Sequence, residues 1–506
     1  MQIQILDNEY WWGGAVDVGS DAPYGVNSIC RFALGQVGAD QSAPLYLSTQ
    51  GRYLYSDKPF AIEFRDGGIF VESDYPVALG EGFGDLKGAH QAVAETYFSK
   101  SEQLPDPVFF RVPQYNTWIE LMYNQNQKQI LEYAHSIVDN GMTPGILMID
   151  EGWSEDYGVY DFYPGRFSDP KGMVQELHSL GFTVMLWVTP HISPDSNAFR
   201  ELRQTDFLLR DETGAFAIRE WWNGFSCVLD LTNPGAQSWL KEKLDGVMAK
   251  YGVDGFKFDA GDAGMYRSTD RSFRPGLPVD QTTAFNAFAA QYPVNELRAV
   301  WNMGGAPLVC RLHDKMHSWD TDGLNCILPN TLTQGLIGCY YGCPDMVGGG
   351  NYASFLEEGF ALDEELYLRW LQASLLCPMV QFSIAPWRVL SPENYRTVKD
   401  LLKLRERYAD YIVELAKNAA RHQEPIVRPM EYEFPHQGYA REKTMFMLGN
   451  RYLVAPVLEK DARSRTIRLP NGTWKGPGGA LFEGGKAITL ENEITELLIL
   501  ERMDLS

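Results

Sequence analysis

The segment GFKFDA carries Lys257 and Asp259, and the segment HSWDTD carries Asp320 and Asp322. In a β-strand, residues two apart point to the same face. Lys257 beside Asp259 would hold that carboxylate ionised, the state a nucleophile needs and a general acid does not. Asp320 and Asp322 are like charges on one face, so one of them could have its proton affinity raised and serve as the acid. Two carboxyl groups on different strands can hydrolyse a glycoside. One attacks the anomeric carbon, and the other protonates the leaving oxygen and later activates water. In retaining enzymes they lie about 5–5.5 Å apart. No metal or organic cofactor is needed, because both roles belong to carboxyl groups.

Further acidic and aromatic residues follow apolar runs. Asp150-Glu151-Gly152-Trp153 closes GILMID, Trp187 and then His191 close FTVMLWVTP, Asp230 closes CVLDL, Asp262 follows Asp259, and Asp345 lies in CPDMVGGG. A scaffold that only packed would place few carboxylates there, because burying unpaired charge is costly. Trp187, Trp221 and Trp222 can offer flat faces to sugar rings. Three other chemistries share these residues: a Schiff-base lyase using Lys257, a hard-metal site of Asp150, Glu151 and Asp259, and a sugar-binding pseudoenzyme.

Such residues need rigid elements to position them. From residue 113 onward short apolar strands alternate with helical patterns. The expected strands are GILMID (145–150), FTVMLWVTP (182–190), CVLDL (227–231), GFKFDA (255–260), AVWNMGG (299–305), HSWDTD (317–322), GLIGCYYG (335–342) and CPMVQFS (377–383). Asp169-Pro170 and Asn233-Pro234 each read as the cap and first residue of a helix. Eight strands with crossovers predict an α/β fold, a (β/α)8 TIM barrel, with catalysis at the C-terminal strand ends. Residues 1–112 and 423–506 carry alternating runs broken by Gly, Pro, Asp and Asn, which read as an N-terminal and a C-terminal β-sandwich flanking the barrel at 113–422.

The chain has 506 residues, and its 44 Lys+Arg against 66 Asp+Glu leave a net charge of −22. That balance disfavours nucleic acid and anionic membrane as partners, both of which want basic patches, and leaves a small-molecule carbohydrate as the expected one. The 13% aromatic content suits such a ligand. Seven Cys, an odd number without a zinc spacing, read as free thiols of a cytoplasmic protein. The N-terminus lacks the basic and apolar regions of a signal peptide. No apolar run approaches the roughly 18–20 residues that span a bilayer.

GVDGFKFDAGD (252–262) resembles the nucleophile segment of glycoside hydrolase family 31, in which Asp259 falls on the nucleophile and Asp262 stands where the family usually has Glu. HSWDTDG resembles the acid/base segment, with Asp322 on the catalytic Asp, Thr321 replacing Gly and Gly323 replacing Asn. LTQGLIGCYYGCPDMVGG, MIDEGW and EPIVRPMEYEFP match further segments in family order. The resemblance implies a retaining exo-acting α-glycosidase. It implies that Asp150 and Glu151 contact the non-reducing sugar, that Trp187 stacks on it, and that Lys257 contacts hydroxyls near the nucleophile. Many relatives self-associate, so a homo-oligomer is compatible with it. Where family α-glucosidases place a substrate-binding His after strand eight, FSIAPWRVL offers Ser383, Trp387 and Arg388 instead. FKFDAGD, PDMVGG and QFSIAPW are similar to the branch of the myogenesis-regulating glycosidase and bacterial α-galactosidases. A galactose-type sugar is therefore the expected glycon, with glucose, xylose and N-acetylgalactosamine as alternatives. The Gln-Gln-Arg-Trp element of the sulfoquinovosidases is absent from the sequence.

Overall fold

A computed structural model describes residues 1–36, 38–356 and 360–504. The fold is a parallel (β/α)8 barrel with sheet-rich regions at both ends of the chain. Two compact units divide the residues: Pro113–Trp301, and Met1–Val112 with Asn302–Ser506.

In the first unit five barrel strands run parallel: β1 (Gln114–Asn116), β2 (Ile146–Ile149), β3 (Thr183–Val188), β4 (Gly255–Phe258) and β5 (Asn295–Leu297). Trp187 on β3 lies in register with Lys257 on β4. The expected caps form. Asp169 accepts from the Gly172 backbone at 2.9 Å to start α1 (Pro170–Ser179), and Asn233 accepts from Gly235 at 2.8 Å to start α2 (Pro234–Tyr251). Gly252, at φ +86°, ends α2 in the left-handed conformation that favours glycine.

Four expectations about strands are corrected. CVLDL is not a barrel strand: Gly224–Val228 pairs antiparallel with Ile218–Trp221 and with His191–Ile192. Its place in the count belongs to β1, which lies upstream of GILMID, the first strand expected from the sequence. The fifth strand is Asn295–Leu297, not AVWNMGG. Both β1 and β5 read as polar because the barrel interior is polar there: Gln114 Nε2 donates to Glu296 Oε2 at 2.8 Å, with both side chains fully buried. A paired buried amide and carboxylate leave no hydrophobic period to detect.

The second unit supplies β6 (Val309–Arg311) and β7 (Tyr341–Cys343), which are parallel, and β8 (Gln381–Phe382). HSWDTD is therefore not a strand. It is the turn that leads into α3 (Leu324–Leu336), and most of GLIGCYYG is the end of that helix and the turn to β7. Near the N-terminus, Gln2–Gln4, Gly68–Glu72, Ala61–Arg65 and Cys30–Ala33 form one antiparallel sheet, and Trp11–Ala15, Gln41–Ser48, Tyr53–Tyr55 and Ala78–Gly80 form another. Phe64 of the first meets Tyr46 of the second edge-on, with 5.8 Å between ring centroids. The C-terminal sheets pack around Trp474, Met447, Leu453 and Leu500. Arg405, buried on the long helix α4 (Pro392–His422), donates to the carbonyls of Leu375, Cys377 and Pro378. Among the described residues no helix is long and apolar enough to cross a membrane.

A charge cluster ties the N-terminal region to the loop after β6. His313 Nδ1 lies 2.9 Å from Asp40 Oδ2 and 2.7 Å from Asp17 Oδ1, and Lys315 Nζ lies 3.3 Å from Asp40. Asp17, Asp40 and His313 have ligand-like spacing, but the Lys315 ammonium takes the cation's place. Burial works against a charged imidazole. Asp40 and Asp17 outweigh it and push His313 up to about 10. A group whose folded value lies above its unfolded value of 6.5 stabilises fully below 6.5, and that stability is lost as pH rises through about 10. We therefore expect His313→Gln to lower the thermal midpoint at pH 6, with the deficit shrinking as pH is raised through about 10. A deficit independent of pH, measured by calorimetry, would show that the imidazole only packs.

Candidate active site

The C-terminal ends of β2 to β5 collect the polar side chains of the first unit. The turn after β4 carries Asp259, 8% exposed. Its Oδ2 accepts from Trp187 Nε1 at 2.9 Å. Its Oδ1 accepts from the Ala260 backbone at 2.8 Å and from Arg298 Nε at 3.2 Å. The backbone donor is available because Ala260 adopts φ +61°, a left-handed conformation uncommon outside glycine.

Lys257 extends from the same strand face, as its spacing predicts, but its hydrogen bond goes to Asp150 Oδ2 at 3.0 Å. Its ammonium is 3.8 Å from Asp259, an ion pair without a hydrogen bond. Asp150 Oδ1 accepts from the Glu151 backbone at 2.8 Å. Glu151 Oε2 accepts from Asn223 Nδ2 at 2.6 Å. Burial pushes the Glu151 carboxyl up, Asp150 and Asp259 add to the effect, and the result is about 8, so it is protonated at neutral pH.

Asn223 belongs to the tip of the hairpin made by Ile218–Trp221 and Gly224–Val228. Trp221 stacks on His191 with centroids 4.1 Å apart and planes 5° apart, and lies 6.4 Å from the Trp187 ring at 12°. Burial pushes His191 down to about 3, so that imidazole is neutral. Trp222 is 48% exposed, and the Arg298 guanidinium lies 5.7 Å from its ring centroid. Arg298 also grips Asp262 with both Nη atoms, each at 2.7 Å.

Of the residues expected at a site, Asp150, Glu151, Trp187, Trp222, Lys257 and Asp259 therefore gather in one place. Asp230 does not serve there. It accepts from the Thr232 hydroxyl and Gln281 Nε2 and holds a turn. Arg298, Asn223 and the stacked His191–Trp221 pair were not expected as partners. Arg298 directly follows β5, and placing that strand at 299–305 hid the fact that it stands at a C-terminal strand end. The Schiff-base and hard-metal chemistries fit poorly. Lys257 is paired with two carboxylates as an ammonium ion, and it occupies the position between Asp150 and Asp259 that a cation would take.

Asp320, Asp322 and Trp387 belong to the other unit. Asp320 and Asp322 are exposed in the turn before α3 and do not share a strand face. Asp320 Oδ1 accepts from Ser318 Oγ at 2.6 Å and from the Asp322 backbone at 3.0 Å, so it braces that turn. Trp387 is half-buried in the short helix Pro386–Val389 after β8.

Residues 113–305 match the profile of the glycosyl hydrolases family 31 TIM-barrel domain, and residues 423–500 match the glycosyl hydrolase family 31 C-terminal domain. The chain belongs to glycoside hydrolase family 31. It is similar to the myogenesis-regulating glycosidase of Mus musculus, 31% identical over 421 residues, covering 81% of this chain and 58% of that protein. It is also similar to the alpha-xylosidase XylQ of Lactiplantibacillus pentosus, 23% identical, covering 89% of this chain and 63% of that protein. The chain thus spans less than two thirds of the length of either relative. Among solved structures, a family 31 alpha-xylosidase from a soil metagenome complexed with xylose superposes with a TM-score of 0.84 at 20% identity, covering 100% of this chain and 79% of the other. At that identity the likeness is one of fold.

The raised value of Glu151 has a sign. Its folded value of about 8 exceeds the ordinary 4.5, so the native state keeps a proton that the unfolded chain releases. Stability therefore falls as pH rises from about 4.5 to about 8. Glu151→Gln, which carries the neutral shape at every pH, should gain thermal midpoint relative to the parent as pH is raised from 5 to 9. A constant difference across that range, measured by scanning fluorimetry, would contradict a protonated Glu151.

Proposed function

We propose that the chain is a retaining exo-acting α-glycosidase that releases a terminal α-linked sugar, with galactose as the leading glycon. Asp259 attacks C1 and forms a β-linked glycosyl-enzyme as the glycosidic C–O bond breaks. Asp322 gives its proton to the departing oxygen, then takes one from the water that cleaves the ester. The observation that carries the reading is Asp259 itself: a buried carboxylate at a barrel strand end, held by Trp187, Ala260 and Arg298 and countered by two cations. Fixed donors hold the attacking group in place and avoid the reorganisation that water would require.

The assignment of Asp322 over Asp320 is supported by the hydrogen bonds Asp320 already makes within its turn. The sugar site we infer has Asp150, Glu151 and Lys257 for hydroxyls, and Trp187, Trp222 and Trp387 for apolar faces. A protonated Glu151 would donate to a hydroxyl oxygen. Galactose is supported by the motifs FKFDAGD, PDMVGG and QFSIAPW, and by Trp387 in the segment where α-glucosidases of the family carry a His. We also propose functional boundaries at 112/113 and 422/423, supported by profile matches that begin at 113 and 423. A cytosolic location is supported by seven cysteines held as free thiols.

Asp259→Asn should reduce hydrolysis of nitrophenyl α-glycosides by several powers of ten, and near-normal turnover would reject the nucleophile. Asp322→Ala should suffer least on substrates with good leaving groups and be partly rescued by azide. The same behaviour in Asp320→Ala instead would transfer the role. A panel of nitrophenyl α-glycosides differing at C2, C4 and C6 tests the glycon. NMR of the first-formed product should show the α-anomer, and a β-anomer would overturn retention.

A further inference from the structure

We propose that Arg298 is the positioning residue for the nucleophile: clamped by Asp262 and covered by Trp222, it fixes the carboxylate plane of Asp259 for attack. The inference rests on the reading of Asp259 as nucleophile and adds the group that aims it.

Two cations stand near Asp259, and the distances separate their roles. Lys257 donates to Asp150 at 3.0 Å and its ammonium lies 3.8 Å from Asp259. Arg298 donates directly to Oδ1 at 3.2 Å. With Ala260 N on the same oxygen at 2.8 Å and Trp187 Nε1 on Oδ2 at 2.9 Å, three donors from three chain segments define the carboxylate plane. Two donors leave a carboxylate able to rock, and the third, from the far side of the turn, removes that freedom.

Arg298 can act this way only if it is itself immobile. Its two Nη atoms each hold one Asp262 oxygen at 2.7 Å, the paired geometry in which guanidinium and carboxylate are coplanar. The residue is 8% exposed, and Trp222 lies over its guanidinium. That tryptophan stands on a hairpin pinned at its tip by Asn223 to Glu151.

The clamp also balances charge through the reaction. Ester formation removes the negative charge of Asp259. An arginine serving Asp259 alone would then be left buried and unpaired, which is costly. Asp262 keeps Arg298 neutralised in both states, so Arg298 orients the carboxylate without holding it back from reacting. Lysine in its place could supply the charge but not two parallel bonds to Asp262 together with a third to Asp259.

The test uses the full-length protein and the nitrophenyl α-glycoside that the parent hydrolyses fastest in the panel above. Arg298→Gln should lower kcat by about 10²-fold, the order expected for a misplaced reacting group, with KM nearly unchanged. The acidic limb of its kcat/KM profile should move to higher pH. The titratable and charged groups around Asp259 are Lys257 and Arg298, the Glu151 carboxyl and the His191 imidazole, with Asp150 behind Lys257 and Asp262 behind Arg298, and Arg298→Gln alters Arg298 alone. Arg298→Lys should return the acidic limb toward the parent while leaving kcat low. Asp262→Asn, which breaks the paired bonds to Arg298, should reproduce the loss in kcat. The double variant should be no worse than Arg298→Gln alone, because both changes break one device.

Parent-like kcat and an unmoved acidic limb in Arg298→Gln, or strictly additive losses in the double variant, would overturn the inference. If Arg298→Gln does not fold, Arg298→Lys and Asp262→Asn carry the same test. A fluorinated glycosyl fluoride that traps the glycosyl-enzyme, followed by peptide mapping, separates the two levels. Label on a residue other than Asp259 sinks the nucleophile, whereas label on Asp259 with an indifferent Arg298→Gln sinks only the positioning role.

Discussion

Five charges of alternating sign run across the strand ends of the first unit: Asp150, Lys257, Asp259, Arg298 and Asp262. Successive members are 3.0, 3.8, 3.2 and 2.7 Å apart. A buried ion is tolerated only when paired, because desolvating a single charge costs several kcal/mol even after relaxation. In this row each interior member has an opposite charge on both sides. Three carboxylates and two cations leave one negative charge in excess. A further ionised acid at Glu151 would double that excess, and the buried Glu151 keeps its proton up to about pH 8. Burial is the larger cause of that retained proton, and Asp150 and Asp259 add to it.

The rest of the first unit serves that row. Parallel register brings Trp187 beside Lys257. The left-handed Ala260 turns its N–H back onto Asp259. The hairpin at 218–228, inserted between β3 and β4, supplies Asn223 to Glu151 and Trp222 to Arg298. The stacked His191 and Trp221 rings form a rigid base for that hairpin. Beneath them the barrel interior replaces apolar packing with the buried Gln114–Glu296 pair. Each device restrains a side chain that would otherwise sample several rotamers, so the groups around Asp259 are preorganised.

Much of this was legible in the residues. The strands Ile146–Ile149, Thr183–Val188 and Gly255–Phe258, the capped helices after Asp169 and Asn233, the sheet-rich flanks and the placement of Asp259 at a strand end follow from local rules: alternation, caps and turn residues, each expressed within a few positions. The count of eight came out right only because β1, which the sequence hid, offsets CVLDL, which is not a barrel strand. The HSWDTDG segment was legible as a family motif but not as a structure. Asp320 and Asp322 were expected on one strand face, whereas they occupy a turn in which Asp320 binds Ser318 and the chain. Spacing of two implies a shared face only inside a strand, and among the described residues HSWDTD pairs with no strand.

Residue types and their order along the chain suffice for the family, the barrel and the acids available to do chemistry. Which cation serves which acid is set by the folded chain. Lys257 is two residues from Asp259 yet bonds Asp150, 107 residues away, while Arg298, 39 residues on, bonds Asp259. Strand pairing sets those distances, and pairing joins segments whose separation in sequence carries no signal. The proton on Glu151 was decided in the same way, since it depends on burial and on two aspartates brought close by folding.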